Sequence, residues 1–187
     1  MLLACEDSPK LCTGQKAVRL GLAHKVDLRS MPSRGAILLD PFVPRPLVRS
    51  EAARVTRSGL LVVDCSWNRL SVKSEYPGVG GALRRYRERR RLPILFAANP
   101  QHYGRATQLN TAEALGASLY LLYGPEAAQE FFERFSFGPS FLALNGELLA
   151  EYWAAESEKD LLDRERSLFS REPSGASGIT PRSRSRA

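Results

Sequence analysis

LLVVDCSWN, at Leu60–Asn68, decides how the rest of the chain is read. Four consecutive apolar residues form a buried strand, apolar on both faces as a central strand of a parallel sheet is. The strand leaves the sheet through a carboxylate, a thiol, a hydroxyl and an indole: Asp64, Cys65, Ser66 and Trp67. In open parallel sheets ligands bind beyond the carboxyl ends of the strands, so this rim is a candidate ligand site. A second strand, AILLD at Ala36–Asp40, ends in the same manner at Asp40 and Pro41. A carboxylate at such a rim suits a ribose hydroxyl or a ligand amine, and an indole suits an adenine face or a cation. The plainer alternative makes Cys65 a small apolar filler and Trp67 a core aromatic.

Working outward, a helix is expected from Gln15 to Ala23 on the spacing of Ala17, Val18, Leu20 and Leu22. PFVPRP at Pro41–Pro46 cannot be helical, because three prolines remove three donors. Ser50 is placed to cap a short helix over EAARVT. Asn68–Gly81, with Gly78, Gly80 and Gly81, reads as loop, Ala82–Arg91 as a basic helix and LPILFA at Leu92–Ala97 as a further strand. After Ala98 the pattern turns helical, with Gly124–Pro125 and Gly138–Pro139 as stop-start signals. The expected organisation is an α/β domain over 1–95, a helical domain over 96–166 and a disordered basic tail over 167–187.

No apolar stretch approaches the ~20 residues of a membrane helix, and the acidic turn in MLLACEDSPK is unlike a secretory signal. Three cysteines without a CxxC pair and only two histidines, His24 and His102, disfavour zinc, any other metal site and a disulfide framework, so a cytoplasmic protein is expected. The formal charge of +7 is clustered, with six arginines in the eight residues Arg84–Arg91 and a PRSRSRA ending. Arginine forks match phosphate oxygens, which points to RNA. The expected RNA face comprises Lys10, Lys16, Arg19, Arg84, Arg85, Arg87, Arg90, Arg91 and Arg105.

FAANPQHYGRATQLN at Phe96–Asn110 is a turn-rich loop running into a helix start, where Asn110 or Thr111 supplies the cap. Such a start gathers backbone N–H groups and the positive end of a helix dipole, a place for a carboxylate or phosphate. No dinucleotide fingerprint, Walker loop or nucleophile elbow is present.

SPKLCTG, LLDP, LVVDCSWN, RLPILFAANPQHYGR and LNTAEALGASLYLLYG follow one another in this order. The set resembles the small-subunit ribosomal RNA aminocarboxypropyltransferases of archaea and eukaryotes, over nearly everything from Asp7 to Trp153. The resemblance implies a SPOUT-like fold: an N-terminal parallel sheet with flanking helices, then an all-helical C-terminal half, tied in a deep trefoil knot. It also implies transfer of the 3-amino-3-carboxypropyl group of S-adenosylmethionine, rather than its methyl, to N3 of a (N1-methyl)pseudouridine in small-subunit rRNA or the pre-ribosomal small subunit.

By the same resemblance Thr13 holds the cofactor carboxylate through its backbone, and Leu39, Pro41, Leu92 and Leu109 enclose the adenine. Val63 meets the ribose through its backbone, Asp64 faces the methionyl amine, and Trp67 packs beside the sulfonium methyl. Asn110 and Thr111 receive the carboxylate at the helix start. Ala106 stands where the family often has proline, and Asn110 where it often has serine. Asp64 is the catalytic candidate, as amine anchor or as base for the imide proton; the anchor is favoured, because an aspartate of ordinary acidity is a weak base toward an imide. A monomer is expected. The alternatives are a SPOUT methyltransferase acting on RNA and a non-catalytic RNA-binding assembly factor.

Overall fold

Leu60–Asp64 does not run as one strand. In the computed structural model, which describes residues 2–3, 12–26, 34–64, 67 and 83–170, the segment divides at buried Val62 into β3 (Leu60–Leu61) and β4 (Val63–Asp64). β3 pairs in parallel with β2 (Ile37–Leu39), whose other edge pairs in parallel with β5 (Arg89–Arg90). β4 instead pairs in parallel with β1 (Leu2–Leu3), placing Val63 opposite Leu2. Lys10, Cys65, Ser66, the connection from Asn68 to Gly81 and the residues after 170 lie outside the described residues.

Strand alternation sends neighbouring side chains of β2 to opposite faces. Ala36 and Leu38 join Leu61, Leu83 and Tyr86 on one side, while Ile37 and Leu39 join Leu47, Val62 and Leu122 on the other. Both faces are therefore dry, as the unbroken apolar run requires.

Among the described residues the helices are α1 (Thr13–Arg19), α2 (Ala52–Ser58, preceded by a 3-10 turn at Arg49–Glu51), α3 (Thr111–Tyr123), α4 (Pro125–Phe132), α5 (Gly138–Trp153) and α6 (Glu158–Phe169). α3 packs closely on α4 because Gly116 faces the Phe132 ring; a Cβ there would lie 2.3 Å from the ring tip. Ala17 and Val48 share one core with residues of α3–α6, so no apolar gap divides the two halves. α6 runs through Phe169, into the stretch expected as tail; Ser157 accepts a hydrogen bond from the Asp160 N–H at its start.

Three expectations need correction. Leu92–Ala97 is not a strand. At Ile94 and Phe96 its backbone is satisfied by side chains from the helices: Ile94 N–H donates to Glu165 (2.7 Å), Tyr152 hydroxyl donates to the Ile94 carbonyl (3.2 Å), and Asn145 both accepts from Phe96 N–H (2.7 Å) and donates to its carbonyl (2.9 Å), while Leu95 and Ala97 bond to the backbone of 104–107. Burial pushes the Tyr152 hydroxyl well above the usual phenol range, keeping it a donor.

The stretch expected as a basic helix, Ala82–Arg91, is described from Leu83 on, and Arg84–Arg91 is not helical. It carries β5, and its last three arginines reach carboxylates on three sides: Arg89 to Asp40 (2.9 Å), Arg90 to Glu51 (2.6 Å) and Glu88 (3.0 Å), Arg91 to Glu165 in a two-pronged contact (3.0 and 2.5 Å). Arg90 is only 4% exposed, so it does not belong to an RNA-facing surface.

The expected SPOUT-like arrangement with a deep trefoil knot is also set aside. The described residues form mostly helices around a small parallel sheet in two pieces, with strands of two or three residues each, and nothing in them supports a knot. The N-terminal sheet and C-terminal helices match the expected layout only in part, because the sheet is smaller than two long strands and a third would make.

Candidate functional site

Asp64 closes β4 with its carboxylate between two donors from distant parts of the chain. The Thr111 hydroxyl donates to Oδ1 (2.5 Å) and the Cys12 thiol to Oδ2 (2.6 Å). Each donor starts a helix: Cys12 caps α1, its sulfur accepting from Gln15 N–H, and Thr111 is the first residue of α3. Trp67 ties the same strand end to the second half of the chain by donating its indole N–H to the Leu109 carbonyl (2.8 Å).

The loop before α3 is held by Glu113, which is fully buried. Its Oε1 accepts from the N–H groups of Ala98 (2.8 Å) and Asn99 (2.7 Å). Its Oε2 accepts from the Asn99 side-chain amide (2.7 Å) and from Asn110 N–H (2.8 Å). Asn110 returns the contact by accepting from Glu113 N–H (2.8 Å), a complete capping box. The loop also stores strain: Thr107, a β-branched residue, sits at φ 63°, its N–H donating to the Leu95 carbonyl.

These parts surround a cavity of about 850 Å³. All ten residues expected to contact a cofactor border it. Leu39, Pro41, Leu92 and Leu109 supply apolar wall, Val63, Asp64 and Trp67 the strand-end rim, and Thr13, Asn110 and Thr111 the two helix starts. Trp67 also packs against the cluster around Leu38 and Leu61, so it is core aromatic and cavity wall at once. The volume lies within the ~300–1,000 Å³ of small-molecule sites. An apolar wall, a carboxylate and the positive end of a 13-residue helix suit a ligand that has a flat ring, an amine and a carboxylate.

The residues expected to face RNA are scattered in role. Arg19, Arg84, Arg85, Arg87 and Arg105 are exposed. Lys16 lies at the cavity with its ammonium over the Phe135 ring (4.9 Å), and Arg91 borders the cavity while paired with Glu165. Lys10 is outside the described residues.

A family model described as "Ribosome biogenesis protein, C-terminal" matches residues 37–169. The 16S rRNA aminocarboxypropyltransferase of Methanopyrus kandleri is 41% identical over 162 residues, 87% of this chain and 92% of that protein. The chain belongs to the 16S rRNA aminocarboxypropyltransferase family. A second member, from Vulcanisaeta distributa, is 38% identical over 84% of this chain and 83% of its own length. The solved structure of the SAM-dependent rRNA:acp-transferase Tsr3 from Vulcanisaeta distributa superposes with a TM-score of 0.74 at 37% identity, covering 89% of this chain and 85% of that one.

Within this aminocarboxypropyltransferase family member, the residue that sequence reasoning missed is Glu113. The Asn110-x-x-Glu113 spacing signals a capping box, but not the reach of the same carboxylate back to Ala98 and Asn99. Cys12 stands within the SPKLCTG motif, which carries no local sign of its bond to Asp64.

Proposed function

We propose that this chain transfers the 3-amino-3-carboxypropyl group of S-adenosylmethionine to N3 of a pseudouridine, or N1-methylpseudouridine, in the RNA of the small ribosomal subunit, as a cytoplasmic monomer acting on the rRNA or its pre-ribosomal particle. Membership in the family supports the activity. The observation that carries the reading is Asp64, a carboxylate opening on the cavity with Thr111 and Cys12 behind it.

Thr111 and Cys12 each take one acceptor site on a different oxygen and hold the carboxylate facing the cavity, so its remaining sites are fixed toward an incoming ammonium. Asp64 is therefore the amine anchor, and the α3 start with Asn110 and Thr111, helped by the Thr13 backbone, is the carboxylate anchor. Leu39, Pro41, Leu92 and Leu109 enclose the adenine, and Val63 meets the ribose through its backbone. Bound S-adenosylmethionine supplies a sulfonium with three electrophilic carbons and leaves neutral methylthioadenosine, with the N3 proton of the acceptor lost to water, so orientation decides which substituent moves. Trp67, fixed by its bond to Leu109, walls off the methyl. The exposed arginines, Arg19, Arg84, Arg85, Arg87 and Arg105, with Lys10 and Lys16, contact phosphates and set the register of the RNA. The acceptor base leaves its stack to reach the cavity.

The test is transfer from S-adenosylmethionine labelled in the carboxyl group, followed by mass spectrometry of the RNA nucleosides. Carboxyl label in the RNA is expected. Methyl label in the RNA would make the chain a methyltransferase instead, and no binding of S-adenosylmethionine would leave an assembly factor without catalysis.

A further inference from the structure

Tyr103 is the most exposed large hydrophobic side chain among the described residues, at 67%; Phe42 and Phe169 follow at 44%. Its neighbours Pro100, Gln101 and His102 border the cavity, so the turn that carries the ring adjoins it.

The backbone that carries it is firmly held. Asn99 is locked by Glu113, and its side-chain oxygen and carbonyl both accept from His102 N–H (3.1 and 3.2 Å). Gly104, in the left-handed region at φ 74°, donates to the Ala97 carbonyl (2.8 Å), and Ala97 N–H donates to the Arg105 carbonyl (3.0 Å). A buried carboxylate and a strained threonine thus hold a turn whose tip displays a bare phenol ring with an exposed arginine two residues on. Exposure of that ring gains nothing for folding, since apolar area stabilises only when it leaves water. A rigid aromatic that loses little freedom on binding is what a flat partner stacks on.

We infer that Tyr103 is a stacking platform for an unpaired nucleobase beside the acceptor nucleotide, with Arg105 on the adjoining phosphate. The inference rests on the proposed RNA substrate and adds the residues that hold the displaced strand. An acceptor base entering the cavity leaves its neighbours in the loop unstacked, and the exposed ring on the turn adjoining the cavity replaces one of those stacking partners.

The experiment uses the full chain and an RNA hairpin whose loop carries N1-methylpseudouridine next to 2-aminopurine. Tyr103→Ala is expected to weaken hairpin binding about fivefold or more and to abolish the quenching of 2-aminopurine seen with the parent protein. Its affinity for S-adenosylmethionine and its thermal midpoint stay as in the parent. Tyr103→Phe and Tyr103→Trp retain binding and quenching, because the ring and not the hydroxyl is used. Arg105→Ala lowers the slope of log affinity against log salt by about one. Parent-like binding by Tyr103→Ala, or a Phe variant as weak as the Ala variant, overturns the platform. A parent protein that shows Tyr103-dependent quenching but transfers no carboxyl label overturns the proposed reaction and leaves the platform standing.

Discussion

Two carboxylates meet at the first turn of α3, and they are treated in opposite ways. Glu113 is fully buried and saturated by four N–H donors, three of them backbone. Asp64 has one hydroxyl and one thiol behind it and a cavity in front. A carboxylate has about four acceptor sites, so Glu113 has none left for a ligand while Asp64 does. The first carboxylate builds the wall and the second faces the cavity. The same contrast runs through the cations: Arg89, Arg90 and Arg91 pair with internal carboxylates, whereas Arg84, Arg85 and Arg87 of the same run are exposed.

Breaking the saturated carboxylate has the largest effect on folding. Glu113→Ala leaves buried donors at Ala98, Asn99 and Asn110 without their acceptor, and a loss of about 3–5 kcal/mol is expected in urea unfolding. Glu113→Gln also fails to restore stability, because its amide nitrogen is a donor placed among donors.

Arg90→Ala comes next, at about 2–4 kcal/mol, since it removes the cation buried between Glu51 and Glu88. Its effect depends on pH with a definite sign. The hydrogen bond from Arg90 holds the Glu88 carboxyl below its usual 4.5. A folded-state value that is lowered gives stability fully present above 4.5 and lost as pH falls through the lowered value. The stability gap between parent and Arg90→Ala therefore narrows below pH ~4.

Smaller effects follow at the cavity. Trp67→Phe keeps most of the ring but drops the bond to Leu109, costing about 1 kcal/mol and loosening the cavity wall at the end of β4. That loosening is read as a rise in methyl label in the RNA relative to carboxyl label. Cys12→Ser keeps a donor to Asp64 and a cap for α1, and S-adenosylmethionine affinity is expected to change less than about threefold. Cys12→Ala, which removes both, exceeds it.

The helices of the second half were legible because Gly124–Pro125 and Gly138–Pro139 punctuate them and apolar spacing fills the intervals. The cavity residues were legible for another reason: strand ends and helix starts gather ligand-binding groups, and the motif order tied them to one family. What escaped was long-range pairing. Leu92–Ala97 has the composition of a strand, but Asn145, Tyr152 and Glu165, some 50 to 70 residues later, bond the backbone of Ile94 and Phe96, while the turn at 104–107 bonds that of Leu95 and Ala97. The arginine run has the composition of an exposed face, and only Asp40, Glu51 and Glu165 turn it inward. α6 carried a signal that local reading could have used, Ser157 three residues before Asp160 at the head of Glu158–Phe169.

The role of Asp64 as amine anchor is tested most directly by calorimetric titration of Asp64→Asn with S-adenosylmethionine and with methylthioadenosine, which lacks the amine. The anchor predicts a loss of about tenfold or more for S-adenosylmethionine, the worth of one charge-assisted contact, and an unchanged affinity for methylthioadenosine. Full affinity for S-adenosylmethionine alongside collapsed turnover would contradict it and make Asp64 the base.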